Sequence, residues 1–600
     1  MPLLLIFLPS YLLAGYETLA EGAEKLLQGE ALDEDFLMGI ATLGALAIGF
    51  LPKAEPQFAE AVFVMLFYQI GELLEDVATD RSRRSIEALT RILPERTIVL
   101  RDGKELFVRP EEVKVGEIIL VRQGDRIALD GRITEGVSAL NTAAITGESL
   151  PRDVSDGDYV YSGSINVGGV LKIRVSRIYA ESTASRIMDL VQNAALAKSR
   201  SERFISRFSR VYTPVVVGMA FLIAVLPPLL SVFLPVTYDA SAAIWIYRAL
   251  CFLIISCPCA LVISVPLTFF AGLGAASKRG ILIKGSNYLE ALARLDALAF
   301  DKTGTLTEGV FEVSGVHQGI MDQKELLHLA SHAEHNSIHP VAAALRKAYP
   351  CESDSCSVKD LEEIPGLGIC AEVNGSRVLL GNAALMKRSG IELNGECREC
   401  DGSAAAVVHI AVDGRYAGHI VISDRIKEDA AEAVLLLGKA GIKRLIMLSG
   451  DSEKAAREVA ERLGIKEYRA GLLPADKLDF VEALIKAGVR TAFVGDGIND
   501  APVLARADVG IAMGALGSDA AIDAADVVLL GDRPSAVAEA IRLARRTLRI
   551  ARQNIFFAIA FKAAVLVLAF LGIAPMWLAV FADVGVTLAC VLNSGRALSA

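Results

Sequence analysis

The sequence predicts an α-helical membrane domain joined to two soluble parts, one a small β-rich domain and the other of the α/β class. Hydrophobic residues make up 53% of the 600 residues and the mean hydropathy is +0.44, which is high for a soluble protein. Charged residues still make up 22%, so part of the chain must face water. The apolar residues gather in separate stretches, several of them near the ~20 residues that a helix needs to cross a bilayer.

The composition also excludes several other classes of protein. A chain this apolar is neither intrinsically disordered nor collagen-like. The net charge of −10, from 61 basic and 71 acidic residues, argues against nucleic acid as the main partner. The nine cysteines are too few for a disulfide scaffold of this length and suit a reducing cytoplasm.

Six stretches are apolar enough and nearly long enough to span a membrane, and a seventh is weaker. The six are residues 36–51, 59–74, 212–234, 242–274, 555–573 and 576–592. The weaker stretch, residues 3–27, becomes polar after Tyr16. A signal peptide is the alternative interpretation of this stretch, but it lacks both a basic start and an A-x-A cleavage site.

Basic residues cluster where the chain enters or leaves the predicted membrane, at residues 81–84, 278–284 and 545–552. The positive-inside rule places these flanks in the cytoplasm, together with the long polar stretches 76–210 and 277–552 and the C-terminus. Seven crossings would then place Met1 outside. We therefore expect either that residues 3–27 do not span the membrane or that the chain lacks an upstream helix.

The polar stretches differ in their sequence pattern. Residues 100–180 are rich in Val and Ile with Gly-Asp turns, as in KVGEIILVRQGDRIALDGRI, which predicts a small β-domain. Residues 281–550 alternate strands and helices, and ALAFDKTGTLT, IKRLIMLSGD and VRTAFVGDGINDAPVL each run an apolar strand into a loop with acidic residues. This pattern predicts a doubly wound parallel sheet with its chemistry at the strand ends. Residues 312–422 are predicted to form a separate α+β insertion.

Side chains suited to phosphate chemistry follow these strands. Asp301 ends one strand before a Gly-containing turn, which places its carboxylate to attack phosphorus. Asp496 and Asp500 end another strand, and carboxylates close to a phosphorylated aspartate need a hard cation such as Mg²⁺. Ser449 offers a hydroxyl and Lys477 a cation to the phosphoryl oxygens. One strand-end aspartate is an ordinary turn residue, but four such elements in order indicate a catalytic site.

These motifs resemble those of the P-type ATPases. DKTGTLT, LSGD and GDGIND resemble the phosphorylation domain of that family, which has a haloacid-dehalogenase-like fold. TGES at Thr146–Ser149 resembles the dephosphorylation loop of the actuator domain, and SIHP and PGLGI resemble the nucleotide-binding domain of the heavy-metal-transporting branch. The resemblance covers the chain from about residue 36. It departs where Ser449 replaces the more usual Thr, although the hydroxyl is kept.

The resemblance implies a role for each matching residue. Asp301 would accept the γ-phosphoryl group of ATP, and Mg²⁺ would be held by Asp301, Asp496 and the backbone carbonyl of Thr303. The dephosphorylation loop consists of Thr146, Gly147 and Glu148. In it, Glu148 would orient the water that hydrolyses the aspartyl-phosphate, because water is a poor nucleophile without a general base. The adenine pocket would be formed by His339, Glu334, Gly366 and Gly368.

The resemblance also implies a division of the chain into seven segments. They are N-terminal membrane helices at 1–75, the actuator domain at 76–210, membrane helices with the metal site at 211–276, the first part of the phosphorylation domain at 277–311, the nucleotide-binding domain at 312–422, the second part of the phosphorylation domain at 423–552, and C-terminal membrane helices at 553–600.

A second candidate site lies in the fourth span, where the sequence reads SCPCAL. Pro258 has no N–H, so the helix should kink or unwind beside it. Irregular backbone at membrane depth is tolerated where it lines a site. Cys257 and Cys259 flank the break, and two thiolates select soft or borderline metals such as Zn²⁺, Cd²⁺, Pb²⁺ or Cu⁺. Inert buried cysteines are the alternative, which Cys-Pro-Cys inside a span disfavours.

Two charged residues, Lys562 and Asp583, lie inside the last two spans, where charges are usually paired or functional. Lys562 is about eight residues from either end of its span, hence ~12 Å deep at ~1.5 Å per residue. A divalent ion, two thiolates, Lys562 and Asp583 are neutral together, whereas Cu⁺ would leave one negative charge. The family comparison agrees, because Lys in the fifth core span and DxG in the sixth resemble the zinc/cadmium/lead class. We expect Lys562 to act as a built-in counter-ion that helps to expel the metal.

Two further features are less specific. Glu72, toward the cytoplasmic end of its span, is either a transport-path carboxylate or a snorkelling surface glutamate. The insertion contains four cysteines, Cys351, Cys356, Cys397 and Cys400. They could hold a structural Zn²⁺, but the spacing is poor and free surface thiols are the simpler interpretation.

The sequence therefore predicts an integral protein of the bacterial cytoplasmic membrane that exports Zn²⁺, Cd²⁺ or Pb²⁺ with ATP and Mg²⁺ through an aspartyl-phosphate. Its partners would be the lipid bilayer, these metal ions and ATP, with no nucleic acid. The alternatives are a Cu⁺ exporter of the same family and a non-transporting membrane-anchored phosphatase or metal receptor. A phosphatase needs no thiols at membrane depth, and a receptor needs no acyl-phosphate. The order among the three metals and the oligomeric state stay open.

Overall fold

The computed structural model describes most of the chain. Outside the described part lie residues 1, 28–33, 51–56, 91–93, 95, 102, 143–150, 187–198, 234–240, 257–258, 336–339, 350–355, 365–366, 394–405, 497–499, 515–518, 572, 574 and 599–600. The described residues form two units. One consists of residues 1–293 and 542–600, and the other of residues 294–541.

Seventeen helices lie in the described residues. They are α1 (Pro2–Leu27), α2 (Glu34–Ile48), α3 (Phe58–Thr90), α4 (Arg200–Phe233), α5 (Ala242–Ile255), α6 (Cys259–Ser277), α7 (Ser286–Ala293), α8 (Gln323–Ala333), α9 (Pro340–Ala348), α10 (Ala383–Arg388), α11 (Ala430–Lys439), α12 (Glu453–Leu463), α13 (Pro474–Lys486), α14 (Ala501–Arg506), α15 (Asp519–Ala524), α16 (Ser535–Phe570) and α17 (Met576–Gly595).

The strands of the described residues are β1 (Thr97–Arg101), β2 (Lys104–Val108), β3 (Ile118–Val121), β4 (Gly131–Glu135), β5 (Ser138–Asn141), β6 (Arg152–Val154), β7 (Tyr159–Val160), β8 (Ile165–Asn166), β9 (Leu171–Val175), β10 (Ile281–Ile283), β11 (Ala297–Asp301), β12 (Thr307–Gln318), β13 (Val358–Ile364), β14 (Gly368–Val373), β15 (Ser376–Gly381), β16 (Ala406–Val412), β17 (Arg415–Ile426), β18 (Arg444–Leu448), β19 (Glu467–Arg469), β20 (Thr491–Gly495), β21 (Val509–Met513) and β22 (Val527–Leu529).

Each apolar stretch predicted from the sequence contains helix. Four helical stretches of the described chain are long and apolar enough to cross a membrane, namely Pro214–Ser231, Ala242–Ser277, Ser535–Ala569 and Met576–Gly595. The stretch Met38–Ile48 in α2 is apolar but shorter. The predicted span 242–274 consists of two helices, since α5 ends at Ile255 and α6 begins at Cys259. α5 thus ends three residues before Pro258, which has no N–H to donate to a helical carbonyl.

A buried polar network joins the helices α6, α16 and α17. The side-chain amide of Asn554 donates to the carbonyl of Cys590 at 3.1 Å and to Oγ of Ser594 at 2.9 Å, and its Oδ1 accepts from Asn593 at 2.8 Å. The hydroxyls of Ser594 and Thr268 are 2.7 Å apart. Interhelical hydrogen bonds of this kind hold apolar helices together where hydrophobic burial gives little preference.

The β-rich part of the first unit contains a six-stranded sheet in the order β2–β1–β3–β9–β4–β7 and a three-stranded sheet in the order β6–β5–β8. Asp130, fully buried, accepts the backbone N–H groups of Ser162 at 2.7 Å and Thr183 at 2.9 Å and the Thr183 hydroxyl at 2.8 Å. These bonds satisfy a carboxylate that would otherwise be costly to bury. Residues 143–150, which include the predicted TGES loop, connect β5 to β6 and lie outside the described residues.

The second unit contains two sheets of different kinds. Parallel strands lie in the order β22–β21–β20–β11–β18–β19. Between β11 and β18 the chain forms an antiparallel sheet in the order β12–β17–β16–β15–β14–β13. Apolar residues of α8 and α9 pack on one cluster of this sheet and those of α10 on another. The predicted α+β insertion at 312–422 therefore corresponds to a sheet that begins at Thr307 and ends at Ile426.

Candidate functional site

The carboxyl ends of three neighbouring parallel strands bring together the residues predicted to handle phosphate. β11 ends at Asp301, β18 is followed at once by Ser449, and β20 is followed at once by Asp496. Because β11 lies between β18 and β20 and the strands are parallel, the carboxyl ends of all three lie side by side at one edge of the sheet. Every residue of β11 and β20 is buried, as expected for parallel strands covered on both faces.

Lys477, on α13, links the end of β11 to Asp500. Its Nζ donates to Oδ1 of Asp301 at 2.7 Å and to Oδ1 of Asp500 at 3.0 Å. All three side chains are buried. Burial lowers the pKa of Lys477, but the Asp301 and Asp500 carboxylates outweigh this effect and hold that pKa above its ordinary value. Lys477 is therefore a permanent cation beside the candidate nucleophile.

Asp301, Asp496 and Asp500 form a cluster that suits a hard cation. Each offers one carboxylate oxygen, and these oxygens lie within 4.8 Å of one another. Three ionised carboxylates exceed the single charge of Lys477 by two. Burial and then the Asp500 carboxylate raise the pKa of Asp301 to about 7, against the opposing effect of Lys477. Burial and Asp500 also raise the pKa of Asp496. A divalent cation at this edge would therefore favour the ionised nucleophile.

The turn after Asp301 leaves room for Asp496 because residue 304 is glycine. Gly304 has a φ of +73°. A Cβ at this position would stand 1.7 Å from Oδ2 of Asp496. The oxygen ligands present, the carboxylates of Asp301 and Asp496 and the nearby carbonyl of Thr303, are of the kind that Mg²⁺ prefers. The residues of this turn thus fit the predicted magnesium site.

Ser449 is held rigidly at the end of β18. Its backbone N–H donates to the carbonyl of Arg469 at 2.9 Å, and its carbonyl accepts from Leu472 at 3.0 Å. Its Oγ accepts the backbone N–H of Asp451 at 3.1 Å. A hydroxyl that accepts one hydrogen bond can still donate its own hydrogen. Ser449 can therefore donate a hydrogen bond to a phosphoryl oxygen, as a threonine would.

Sequence reasoning missed two buried lysines that fix this edge. Lys302 Nζ lies 2.5 Å from Oδ2 of Asp451 and 3.6 Å from Oδ2 of Asp424. Lys427 Nζ donates to the carbonyl of Gly304 at 2.8 Å and to Oδ1 of Asp532 at 2.5 Å. Only their positions in the sequence could have indicated these lysines. Lys302 directly follows the candidate nucleophile Asp301, and Lys427, in DRIKED, directly follows the long strand β17.

The predicted nucleotide pocket is described in part. Glu334 is buried at the C-terminal cap of α8, and its carbonyl accepts from Nη1 of Arg346 at 2.8 Å. Gly368 begins β14 with a φ of +144°, and a Cβ there would lie 2.2 Å from the carbonyl oxygen of Leu380. Five of the residues predicted for the catalytic and nucleotide sites lie outside the described part, namely Thr146, Gly147, Glu148, His339 and Gly366.

In the membrane helices, the predicted pair Lys562 and Asp583 is in direct contact. The ammonium of Lys562, on α16, forms an ion pair with Oδ1 of Asp583, on α17, and 11% and 13% of the two side chains are exposed. Both side chains line a small cavity, together with Ile255, the last residue of α5. The centre of a water molecule can occupy about 10 Å³ of this cavity. This is space for about one water molecule.

The other predicted members of the metal site are less completely described. Cys257 and Pro258 lie outside the described residues, and Cys259 is described only as the first residue of α6. Ile255, which lines the cavity, is the last residue of α5, and Cys259 is the first residue of α6. Glu72 lies on α3 with its side chain exposed.

Two protein families match parts of this chain outside the membrane helices. Residues 295–508 match the haloacid dehalogenase-like hydrolase family. Residues 91–192 match the P-type ATPase actuator domain.

Full-length relatives are also similar. The "Cadmium, zinc and cobalt-transporting ATPase" of Bacillus subtilis (strain 168) is 50% identical over 598 residues, which is 99% of this chain and 82% of that protein. The "Zinc-transporting ATPase" of Synechocystis sp. (strain ATCC 27184 / PCC 6803 / Kazusa) is 49% identical over 98% of this chain and 80% of its own. A crystal structure of a zinc-transporting PIB-type ATPase in the E2·Pi state is 37% identical, has a TM-score of 0.63, and is matched over 99% of this chain and 95% of that one.

Proposed function

This chain belongs to the metal-transporting P-type ATPases, and on that premise we propose how its residues carry out the transport cycle. It is an integral protein of the bacterial cytoplasmic membrane with cytoplasmic catalytic domains, and it uses ATP to export Zn²⁺ and Cd²⁺. The family and the fold class predicted from the sequence are thereby confirmed. The roles of individual residues and the domain boundaries given above are our proposals.

The observation that carries the mechanism is the contact of Lys477 with both Asp301 and Asp500 at the edge where Asp496 also lies. In this proposal a carboxylate oxygen of Asp301 attacks the γ-phosphorus of ATP, the bond to the β–γ bridging oxygen breaks, and ADP leaves. Lys477 and the Ser449 hydroxyl stabilise the charge on the equatorial oxygens of the transferred group. Mg²⁺, held by Asp301, Asp496 and the Thr303 carbonyl, would neutralise the phosphate charge.

The second half of the cycle returns Asp301 to its free state. Glu148, in the loop of Thr146 and Gly147, takes a proton from the water that attacks the phosphorus, and the P–O bond to Asp301 breaks. Nucleotide binding is assigned to the segment that contains Glu334, His339, Gly366 and Gly368. The burial of Glu334 and the backbone approach at Gly368 support this assignment.

For transport we propose that Cys257, Cys259 and Asp583 bind the metal and that Lys562 competes with the metal for Asp583. The ion pair of Lys562 and Asp583 supports this proposal, because it supplies a neutral arrangement for the metal-free site. Phosphorylation can drive transport only if the two states bind metal with different affinity. Exchange of Asp583 between metal and Lys562 provides such a difference. Glu72 is a further candidate for a carboxylate on the path of the transported metal.

The charge of the site extends the proposal to Pb²⁺. Two thiolates, one carboxylate and one ammonium balance a divalent ion and leave Cu⁺ with an excess negative charge. Pb²⁺ suits the same thiolate donors. Cu⁺ is the second candidate substrate, but the charge of Lys562 favours a divalent ion over it.

The test is the ATPase activity of the purified protein against Zn²⁺, Cd²⁺, Pb²⁺, Co²⁺, Cu⁺ and no metal. We expect stimulation by Zn²⁺, Cd²⁺ and Pb²⁺, and its loss in Asp301→Asn. The matched control is Asp296→Asn. Asp296 lies just before the strand that ends at Asp301, and its carboxylate pairs with Arg490 at 2.7 Å on the surface. Stimulation by Cu⁺ alone would overturn the assignment of Lys562. Metal-independent turnover of phosphate esters in Cys257→Ala would instead favour a phosphatase.

A further inference from the structure

Three side chains that bind soft metals well meet in the part of the second unit that contains the antiparallel sheet, and the cycle above uses none of them. His328 and His332 are four residues apart on α8 and therefore share one face of that helix. Cys356 stands two residues before β13. One donor atom from each of the three lies within 4.8 Å of the others, and Nε2 of His328 is 3.1 Å from Sγ of Cys356.

This spacing suits a tetrahedral metal. Bonds of about 2.0–2.1 Å to imidazole nitrogen and about 2.3 Å to thiolate sulfur place the donor atoms of a zinc site about 3.3–3.7 Å apart. The three donors therefore reach a common centre with small side-chain adjustments. Two histidines one helical turn apart are a spacing that zinc sites use. Two imidazoles and one thiolate favour Zn²⁺ or Cd²⁺ over Mg²⁺, with water as the fourth ligand.

A second set of contacts holds the sulfur in place. The side-chain amide of Asn374 donates to Sγ of Cys356 at 3.1 Å. Its Oδ1 accepts the backbone N–H of Ser357 at 3.0 Å, and its own N–H donates to the carbonyl of Ser357 at 3.0 Å. Asn374 sits in the β14–β15 turn with a φ of +51°, so the turn aims the amide at the sulfur. The contact fixes the position of the sulfur, and such supporting contacts are a regular part of metal sites.

We propose that His328, His332 and Cys356 bind one soft divalent cation, Zn²⁺ or Cd²⁺, and that this ion tunes nucleotide affinity. His332 is buried in the last turn of α8, two residues before the capping Glu334. An ion that ties this turn to Cys356 fixes the backbone from which Glu334 extends. The effect on nucleotide rests on the pocket proposed above, whereas the metal site stands without it.

Metal binding is measured on the full chain in which Cys257→Ser and Cys259→Ser remove the transport thiols. Equilibrium dialysis with Zn²⁺ should give one ion per chain, and Cys356→Ser or His328→Gln should weaken it at least about tenfold. Cys370→Ser changes a half-buried cysteine of the same sheet and His335→Gln a histidine just beyond α8, so both should leave binding unchanged. No bound ion, or equal binding after Cys356→Ser, would refute the site.

Two measurements guard against misfolded variants. In the unaltered protein, Zn²⁺ should slow the alkylation of Cys356 by iodoacetamide at least about tenfold, as followed by mass spectrometry of the peptide. Asn374→Gly keeps a residue that tolerates the positive φ but removes the amide, and we expect it to weaken Zn²⁺ binding about 10–100-fold. If Zn²⁺ does not change the rate at which Cys356 is alkylated, the proposal is contradicted.

The regulatory part is tested with a non-hydrolysable ATP analogue in the same Cys257→Ser/Cys259→Ser background. Zn²⁺ should change the affinity for the analogue by about fivefold or more, and Cys356→Ser should abolish the change. An affinity independent of Zn²⁺ refutes the coupling. A protein that binds Zn²⁺ but fails to bind the analogue under any condition contradicts the proposed nucleotide pocket and leaves the metal site standing.

Discussion

Lys477 and Lys562 each contact a largely buried aspartate, and the two contacts differ in their balance of charge. Lys477 serves two carboxylates, Asp301 and Asp500, with a third from Asp496 in the same cluster. Lys562 forms an ion pair with the single carboxylate of Asp583. The first group is therefore short of positive charge and the second is neutral. Both lie away from water, where an unbalanced charge is expensive.

The difference teaches how each region meets a divalent ion. The edge of the parallel sheet has an excess of carboxylates, so it attracts a hard cation before any chemistry takes place. The membrane pair has no charge to offer until Asp583 leaves Lys562. The membrane site therefore needs additional anionic ligands, which the two thiolates of the Cys-Pro-Cys segment would supply.

Removing the first lysine should have the largest effect. Lys477→Ala leaves Asp301 and Asp500 facing each other without a cation, so we expect phosphorylation from ATP to fall about 10³-fold. The measurement is phosphoenzyme formed from γ-labelled ATP. Lys486→Ala is the matched control, since Lys486 lies on the same helix and pairs with Glu482 on the surface at 2.9 Å. Near-normal phosphorylation of Lys477→Ala would contradict its role.

A change in the turn tests whether the carboxylate cluster must be held in place. Gly304→Ala would place a Cβ 1.7 Å from Oδ2 of Asp496 and force the two apart. A displacement of about 1 Å in a catalytic group lowers activity about 10²-fold, and we expect that loss in ATPase activity. Gly309→Ala is the control, because φ is +66° there but the nearest heavy atom is 3.7 Å away. Equal losses in both variants would assign the effect to backbone strain.

The second lysine should affect a different step. Lys562→Ala leaves Asp583 to the metal, so we expect normal phosphorylation but metal release slowed by roughly tenfold, equal to about 1.4 kcal/mol. Release of ⁶⁵Zn²⁺ from proteoliposomes measures it. Lys562→Arg keeps the charge and should release metal closer to the normal rate. Release at the normal rate from an active Lys562→Ala protein would count against the counter-ion proposal.

The smallest effect on activity is expected from the polar network that joins α6, α16 and α17. Asn554→Ala removes the hydrogen bonds to Cys590 and Ser594 and the acceptor of the Asn593 amide, which should destabilise the membrane domain by about 1–3 kcal/mol. The apparent Tm in detergent should fall. Asn593→Ala removes one bond to the same residue and should lower the Tm less. An unchanged Tm in Asn554→Ala would show that the network adds little stability.

The sequence predicts the sheet edge well for a physical reason. Apolar strands followed directly by Asp301, Ser449 and Asp496 can converge only where parallel strands end together. The end of α5 at Ile255 is equally local, since Pro258 has no N–H to donate to a helical carbonyl. The depth of Lys562 and Asp583 in their spans also indicated that they needed partners.

The contacts missed by sequence analysis depend on the tertiary fold. Lys427 reaches Gly304 across 123 residues of chain. Cys356 meets His328 because the sheet folds back onto α8, whereas sequence spacing grouped Cys356 with Cys351, Cys397 and Cys400. The last three lie outside the described residues, so the four-cysteine interpretation stays a prediction. No pattern along the chain encodes which loop returns to which helix.

The neutral pair of Lys562 and Asp583 also has an electrical consequence. A pump must hold the membrane potential while it waits for its cargo, and each elementary charge that leaks across 100 mV dissipates about 2.3 kcal/mol. With its carboxylate already compensated and space for about one water molecule beside it, the Lys562–Asp583 pair offers passing H⁺ or Na⁺ no uncompensated charge. We expect metal-free proteoliposomes of the unaltered protein to be electrically tight and those of Lys562→Ala to leak protons faster.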